Sequence, residues 1–162
     1  MYKVAIITAS DKGYAGERED KSGSVIEEIV TAHELEVTGK VILPDDRQML
    51  SDQMLNYCHQ GIDLILTTGG TGFSKRDVTS EATADIVERR ADNLTFAMIA
   101  NSLQYTPKAM LSRGIAGIRE NTLIVNLPGS PKAVRENLEY AIDAIIHGVK
   151  ILKGDDAECA RK

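Results

Sequence analysis

The run Val4-Ala5-Ile6-Ile7 is unbroken in its apolarity and stops at Thr8-Ala9-Ser10-Asp11. Unbroken rather than alternating apolarity is the pattern of a strand covered on both faces, as in a parallel sheet. Residues 11–23 are polar and carry glycines. They predict a long loop, and long loops in compact domains are often functional. A helix follows, capped by Ser22 or Ser24, with Val25, Ile26, Ile29 and Val30 on one face. Residues 35–43 read as a second strand that Pro44 stops. Asp45-Asp46 supply a cap for a helix bearing Met49, Leu50, Met54, Leu55 and Cys58 at helical spacing.

Ile62-Asp63-Leu64-Ile65-Leu66 is the next buried strand, and it runs into Thr67-Thr68-Gly69-Gly70-Thr71-Gly72. The pattern then predicts a helix from just after Thr79, with Ser80 and Glu81 in its first turn, to Ala91. A second helix covers residues 94–104 and is closed by Thr106-Pro107. Residues 115–118 and 122–127 read as short strands around Glu120-Asn121. Pro128-Gly129-Ser130-Pro131 leads into a last helix over residues 132–152. Strands that alternate with helices in this way predict an α/β fold: three α/β/α layers, a mostly parallel sheet and a small antiparallel hairpin. Ligands of open α/β sheets bind outside the carboxyl ends of the strands. That rule singles out four loops, at residues 8–23, 44–46, 67–79 and 127–130.

At 162 residues and 17.7 kDa the chain has the size of one domain. We assign residues 1–153 to it and read residues 154–162 as a polar C-terminal tail. The net charge of -5 gives no support for a nucleic-acid binder, which carries a basic excess, and leaves room for a locally cationic anion site. Cys58 and Cys159 form neither a CxxC pair nor a disulfide framework, the usage of a reducing compartment. The start shows no basic stretch followed by a long apolar one, and no run approaches the ~18 apolar residues of a membrane span. These features predict a cytoplasmic protein that does not engage a membrane.

The sharpest chemical feature is Thr68-Gly69-Gly70-Thr71-Gly72 followed by Arg76-Asp77-Val78-Thr79. Glycines there remove Cβ atoms where a backbone turns sharply or approaches a ligand. Successive N–H groups can form an anion-binding nest, with Lys75 and Arg76 adding charge and the helix after Thr79 aiming its positive end at the loop. The alternative is a glycine-rich turn with no ligand. The dinucleotide pattern G-x-G-x-x-G would need glycine where Lys75 stands, and the P-loop pattern is absent. Asp45, Asp46 and Asp77 are carboxylates beside this loop. They would repel an anion unless a cation bridges them, and Mg²⁺ is the usual bridge. Asp77 with one of Asp45 and Asp46 suits that task; a plain helix cap at Asp45-Asp46 is the other reading. His33, His59 and His147 share no metal-ligand spacing. Met98 and Met110 read as core filling. Pro128-Gly129-Ser130-Pro131 is either a turn or, through Ser130 and Lys132, an anion site at a helix start.

The joint pattern resembles the molybdopterin adenylyltransferase family, which includes the G domains of gephyrin and of the plant molybdenum-insertion protein. It rests on residues 67–72, on Arg76-Asp77-Val78-Thr79 and on Glu81-Ala82. It rests further on Ser10-Asp11, Asp20-Lys21-Ser22-Gly23, Pro44-Asp45, Met110-Leu111-Ser112-Arg113, Gly117-Ile118-Arg119 and Leu127-Pro128-Gly129-Ser130-Pro131. The order matches over residues 4–153. Ser80 stands where members commonly have proline, and Asp92-Asn93 where many have Pro-Gly. The resemblance implies a molybdopterin-binding fold that forms homotrimers. It implies AMP transfer from ATP to the terminal phosphate of molybdopterin, with Mg²⁺ and release of pyrophosphate. Asp45 and Asp77 match the family's two acidic residues implicated in catalysis and are the expected Mg²⁺ ligands. Ser10, Asp11, Thr68, Gly69, Gly70, Thr71, Gly72, Arg76, Thr79, Ser112, Gly129 and Ser130 are the expected substrate-binding positions. A molybdenum-insertion protein is the expected downstream partner, and nucleic acid is not one. Competing expectations are a paralogue that binds pterin or nucleotide without this activity, and a trimeric scaffold. Residues 94–100 are apolar on more than one helical face, with Phe96, Met98, Ile99 and Leu103 as either an interface or a helix buried on two sides.

Overall fold

Val4, Ala5, Ile6 and Ile7 are fully buried, and the two-residue period of a strand divides them between two cores. Val4 and Ile6 share one core with Ile26, Val30, Leu138 and Ile142. Ala5 and Ile7 share the other with Leu50, Met54 and Tyr57. The structure is a computed structural model and describes residues 1–155. Its strands are β1 (Lys3–Ala9), β2 (Glu36–Leu43), β3 (Leu64–Thr68), β4 (Arg89–Arg90), β5 (Ala116–Arg119) and β6 (Thr122–Leu127). They form one sheet in the order β2-β1-β3-β6-β5-β4. β2, β1, β3 and β6 run parallel, and β5 and β4 complete the sheet antiparallel.

Helices α2 (Lys21–Ala32), α5 (Asp92–Ser102) and α6 (Pro131–Lys153) cover one face, and α3 (Arg47–His59) and α4 (Thr79–Ala84) cover the other. This is the expected three-layer α/β/α fold. Each face of the parallel strands needs its own helical cover, and the unbroken apolar runs reflect that. The chain leaves β1 for β2 on one side and returns to β3 on the other. The carboxyl ends of β1 and β3 therefore flank a switch point, where open α/β sheets bind ligands.

Several expectations need correction. Residues 11–23 are not one loop: Ser10 caps a single turn, α1 (Asp11–Tyr14), by accepting the Gly13 N–H. Asp20, not Ser22 or Ser24, caps α2 through the Gly23 N–H at 2.8 Å. The helix after Thr79 ends at Ala84 instead of reaching Ala91. Ile86 turns into the core, and the N–H groups of Glu88 and Ala91 donate to the carbonyls of Ile118 and Ala116. Pairing with β5 thus captures this stretch, and Gly117 leaves the space that Val87 fills. Met98 is buried, whereas Met110 is exposed on the 3₁₀ turn Pro107–Leu111. Cys58 is buried, and burial pushes its thiol up; Cys159 and residues 156–162 of the expected tail lie outside the described residues.

The last helix is tied back to the start of the chain. Asp63 is buried and takes the Lys3 N–H at 2.8 Å and the Lys153 ammonium at 2.8 Å. The Tyr2 hydroxyl donates to Asp155 at 2.7 Å, while Gly154 closes α6 in the left-handed region at φ 77°.

Candidate active site

A cavity of about 960 Å³ opens at the carboxyl ends of β1 and β3. The turn after β3 forms part of its wall. Gly69 and Gly70 both take left-handed backbone, at φ 85° and 72°. A Cβ on Gly69 would stand 2.3 Å from the Ala9 carbonyl, and one on Gly70 would stand 2.1 Å from the buried Thr79 hydroxyl. No side chain fits at either place. The loop from β6 to α6 leans on this turn: Thr68 donates its hydroxyl to the Pro128 carbonyl at 2.6 Å. Ser22, at the start of α2, donates to the Gly129 carbonyl at 2.6 Å. Ser130 caps α6 by accepting the Ala133 N–H.

Asp11 and Asp45 bind each other's backbone. The Asp45 N–H donates to Asp11 Oδ1 at 3.0 Å, and the Asp11 N–H donates to Asp45 Oδ2 at 3.2 Å. Arg76 forks onto Asp11 at 3.0 and 2.9 Å. That contact, with the Asp45 backbone behind it, holds the Asp11 carboxyl down to about 2. Burial pushes the Asp45 carboxyl up, and the charges of Asp11 and Asp77 push the same way. Asp46 is spent as the cap of α3. Asp77 accepts the Ser74 N–H at 2.9 Å and so closes its own loop. Arg113 pins that loop from behind, donating to the carbonyls of Gly72 and Asp77 and pairing with Glu81.

Of the positions expected from the sequence, Ser10, Asp11, Asp45, Thr68, Gly69, Gly70, Arg76, Asp77, Gly129 and Ser130 line this cavity. Thr71, Gly72, Thr79 and Ser112 do not. Thr71 and Thr79 are buried behind the wall, Gly72 lends its carbonyl to Arg113, and Ser112 accepts the Gly114 N–H. The first amide of α4 is also spent, donating to the Gly70 carbonyl at 3.0 Å, so α4 offers no free N-terminal N–H at Thr79. Sequence reasoning missed Thr8, Lys12, Arg18, Glu19, Lys21, Ser22 and Ser74 as lining residues. Most of them sit in the stretch after β1 that the strand-end rule marks, and only the choice of individual side chains was lacking.

The wall carries Lys12, Arg18, Lys21 and Arg76 against Asp11, Glu19, Asp20, Asp45 and Asp77. A polyanion entering a pocket with this balance needs a bridging cation. Among the described residues no three His, Cys, Asp or Glu side chains come together to hold a metal alone. Asp45 and Asp77 both line the cavity, and two carboxylates are the side chains that could hold an ion of the Mg²⁺ kind, which takes one or two carboxylates and completes its shell with phosphate oxygens and water.

Fold and cavity together define an α/β domain with a charged site at a switch point of its sheet. Residues 5–147 match the family model described as "probable molybdopterin binding domain", and the chain belongs to that family. The chain is 37% identical to the molybdopterin adenylyltransferase of Helicobacter pylori, over 94% of this chain and 88% of that one. It is 40% identical to gephyrin of Dictyostelium discoideum over 92% of its own length, but spans only 22% of that longer protein. The crystal structure of the molybdopterin biosynthesis enzyme MoaB of Thermus thermophilus superposes with a TM-score of 0.90 at 42% identity, covering 95% of this chain and 98% of that one.

Proposed function

We propose that the protein is a molybdopterin adenylyltransferase, transferring AMP from ATP to the terminal phosphate of molybdopterin in molybdenum cofactor biosynthesis. The observation that carries this reading is the meeting of Asp45, Asp77, Arg76 and the Gly69-Gly70 turn in one cavity. An oxygen of the pterin phosphate attacks the α-phosphorus of ATP, the bond to the bridging oxygen breaks, and pyrophosphate leaves. The attacking oxygen is already anionic, so no strong general base is needed. The harder task is to hold two anions in line, which positioning and charge neutralisation accomplish. Lys12, Arg18, Lys21 and Arg76 lower the local negative potential, and the turn lets backbone come close to phosphate. Asp45 and Asp77 are the residues that would hold Mg²⁺, which would supply charge neutralisation for the phosphates.

We place this activity in the cytoplasm, where ATP is available; among the described residues no helix is long and apolar enough to cross a membrane. A homotrimer is the proposed working form, and a molybdenum-insertion protein the proposed recipient of the product. The test is ATP consumption with pyrophosphate release in the presence and absence of molybdopterin. Release that depends on molybdopterin, one pyrophosphate per adenylylated pterin, is expected. Release indifferent to molybdopterin overturns the reading.

A further inference from the structure

Phe73 is 70% exposed at the tip of the loop that carries Arg76 and Asp77. Both phenylalanines of the chain are exposed, Phe96 on α5 and Phe73 on this loop, and of the two only Phe73 adjoins residues that line the cavity. The loop is not loose. The Ser74 N–H is bound by Asp77, the Asp77 N–H donates back to the Ser74 carbonyl, and Arg113 holds the carbonyls of Gly72 and Asp77. Phe73 is thus presented by a pinned backbone, beside Ser74 and Arg76, which line the cavity. None of the lining side chains is aromatic. Each proposed substrate nevertheless ends in a planar fused nitrogen heterocycle, the purine of ATP and the pterin of molybdopterin. Ala9 and Pro131 give the wall apolar surface but no ring on which such a heterocycle can stack, and the exposed Phe73, next to the lining residue Ser74, supplies one.

We propose that Phe73 is the ring-binding residue of this site, stacking its face on the fused heterocycle of a substrate whose phosphates lie in the cavity. The assignment rests on the adenylyltransferase reading for the identity of the two rings. Stacking explains why an apolar side chain is kept in water on a rigid loop: the apolar surface is buried when the substrate arrives. Tyr14 is the other exposed ring near the rim, on α1 beside the lining residues Lys12 and Gly13. A tyrosine carries a polar hydroxyl as well as a ring, so its exposure needs no ligand to account for it, and it serves as the control.

The chain contains no tryptophan, so Phe73→Trp introduces a single indole reporter. Its fluorescence is followed on adding ATP, a simple pterin, or inorganic tripolyphosphate. Saturable quenching by ATP assigns the purine, quenching by the pterin assigns the pterin, and tripolyphosphate is expected to leave the signal unchanged. In steady-state assays Phe73→Ala raises the KM of the assigned substrate by about tenfold or more with kcat little changed, and Phe73→Tyr restores it. Quenching by neither ring, or equally by tripolyphosphate, overturns the proposal. So does an alanine variant with wild-type KM for both substrates, a KM loss that appears in Tyr14→Ala instead, or a change of mass in light scattering in place of a KM effect. A wild-type protein that makes no adenylylated molybdopterin sinks the functional reading but leaves the ring-binding result standing. Normal turnover with unchanged Phe73 variants sinks the stacking alone.

Discussion

Asp45 is a side chain whose surroundings work against its own charge. Burial raises its pKa, and Asp11 and Asp77 add to the effect. An acid whose folded pKa lies above the unfolded value keeps its proton to higher pH in the fold, so ionising it costs stability as pH rises through that window. Asp45→Asn removes the charge and keeps a carbonyl oxygen for the Asp11 N–H. It is expected to melt no lower than wild type at pH 7 while AMP transfer falls about 100-fold or more. Equal transfer rates would take Asp45 out of the chemistry. Asp11 is the opposite case. The Arg76 fork lowers its pKa to about 2. A depressed acid stabilises the fold above its unfolded value, near 4, and that contribution fades as pH falls toward 2. A carboxyl carbon titration by NMR should place Asp11 near 2, and Arg76→Ala should return it toward the ordinary carboxylate range. An unmoved midpoint in that variant would show that Arg76 is not its cause.

Helix α2 shows how an element and the cavity share their supports. Asp20 caps it and also takes the Thr8 hydroxyl at 2.9 Å, and Gly23 must lack a side chain because a Cβ there would stand 2.2 Å from the Asp20 carboxylate. Asp20→Ala is expected to cost about 1–2 kcal/mol in urea unfolding. It should also raise substrate KM, because Lys21 and Ser22 follow the cap directly. A stable variant would show that the cap carries little. The apolar runs of β1, β3 and β6 and the periodic faces of α3 and α6 were legible in the sequence because burial on two sides leaves no other pattern. The glycine turn was legible for a related reason: at φ 85° and 72°, with no room for a Cβ, few residue types are tolerated. The α2 cap was not legible, since Asp20, Ser22 and Ser24 all qualify chemically and only packing chooses. Nor was the stop at Ala84, because residues 87–91 are held by β5, about thirty positions downstream, and local propensity carries no trace of that pairing. The part Arg113 plays in pinning the loop was hidden for the same reason: its partners lie 32 to 41 residues away.

At the scale of the whole molecule, Phe96 stands 71% exposed on α5, and Leu103, Tyr105, Met110 and Leu111 are exposed near it along α5 and the adjoining 3₁₀ turn. Met98 and Thr95 face inward, so α5 is not buried on two sides within one chain. The proposed trimer would cover residues of this kind, since a closed ring pairs one patch with a different patch on the next subunit. Light scattering at micromolar concentration is expected to give about three times 17.7 kDa. Phe96→Glu should lower it toward a single chain, and a wild-type mass near 17.7 kDa would remove the trimer. The Tyr2–Asp155 and Lys153–Asp63 ties gather both ends of the described chain at the amino end of β1. The cavity sits at the other end of that seven-residue strand, about 20 Å away. The chain therefore enters the described fold, and leaves it at residue 155, at the pole away from the cavity. A segment joined at that pole would start about 20 Å from the mouth where substrate enters, an arrangement compatible with a match that covers only 22% of the longer Dictyostelium gephyrin.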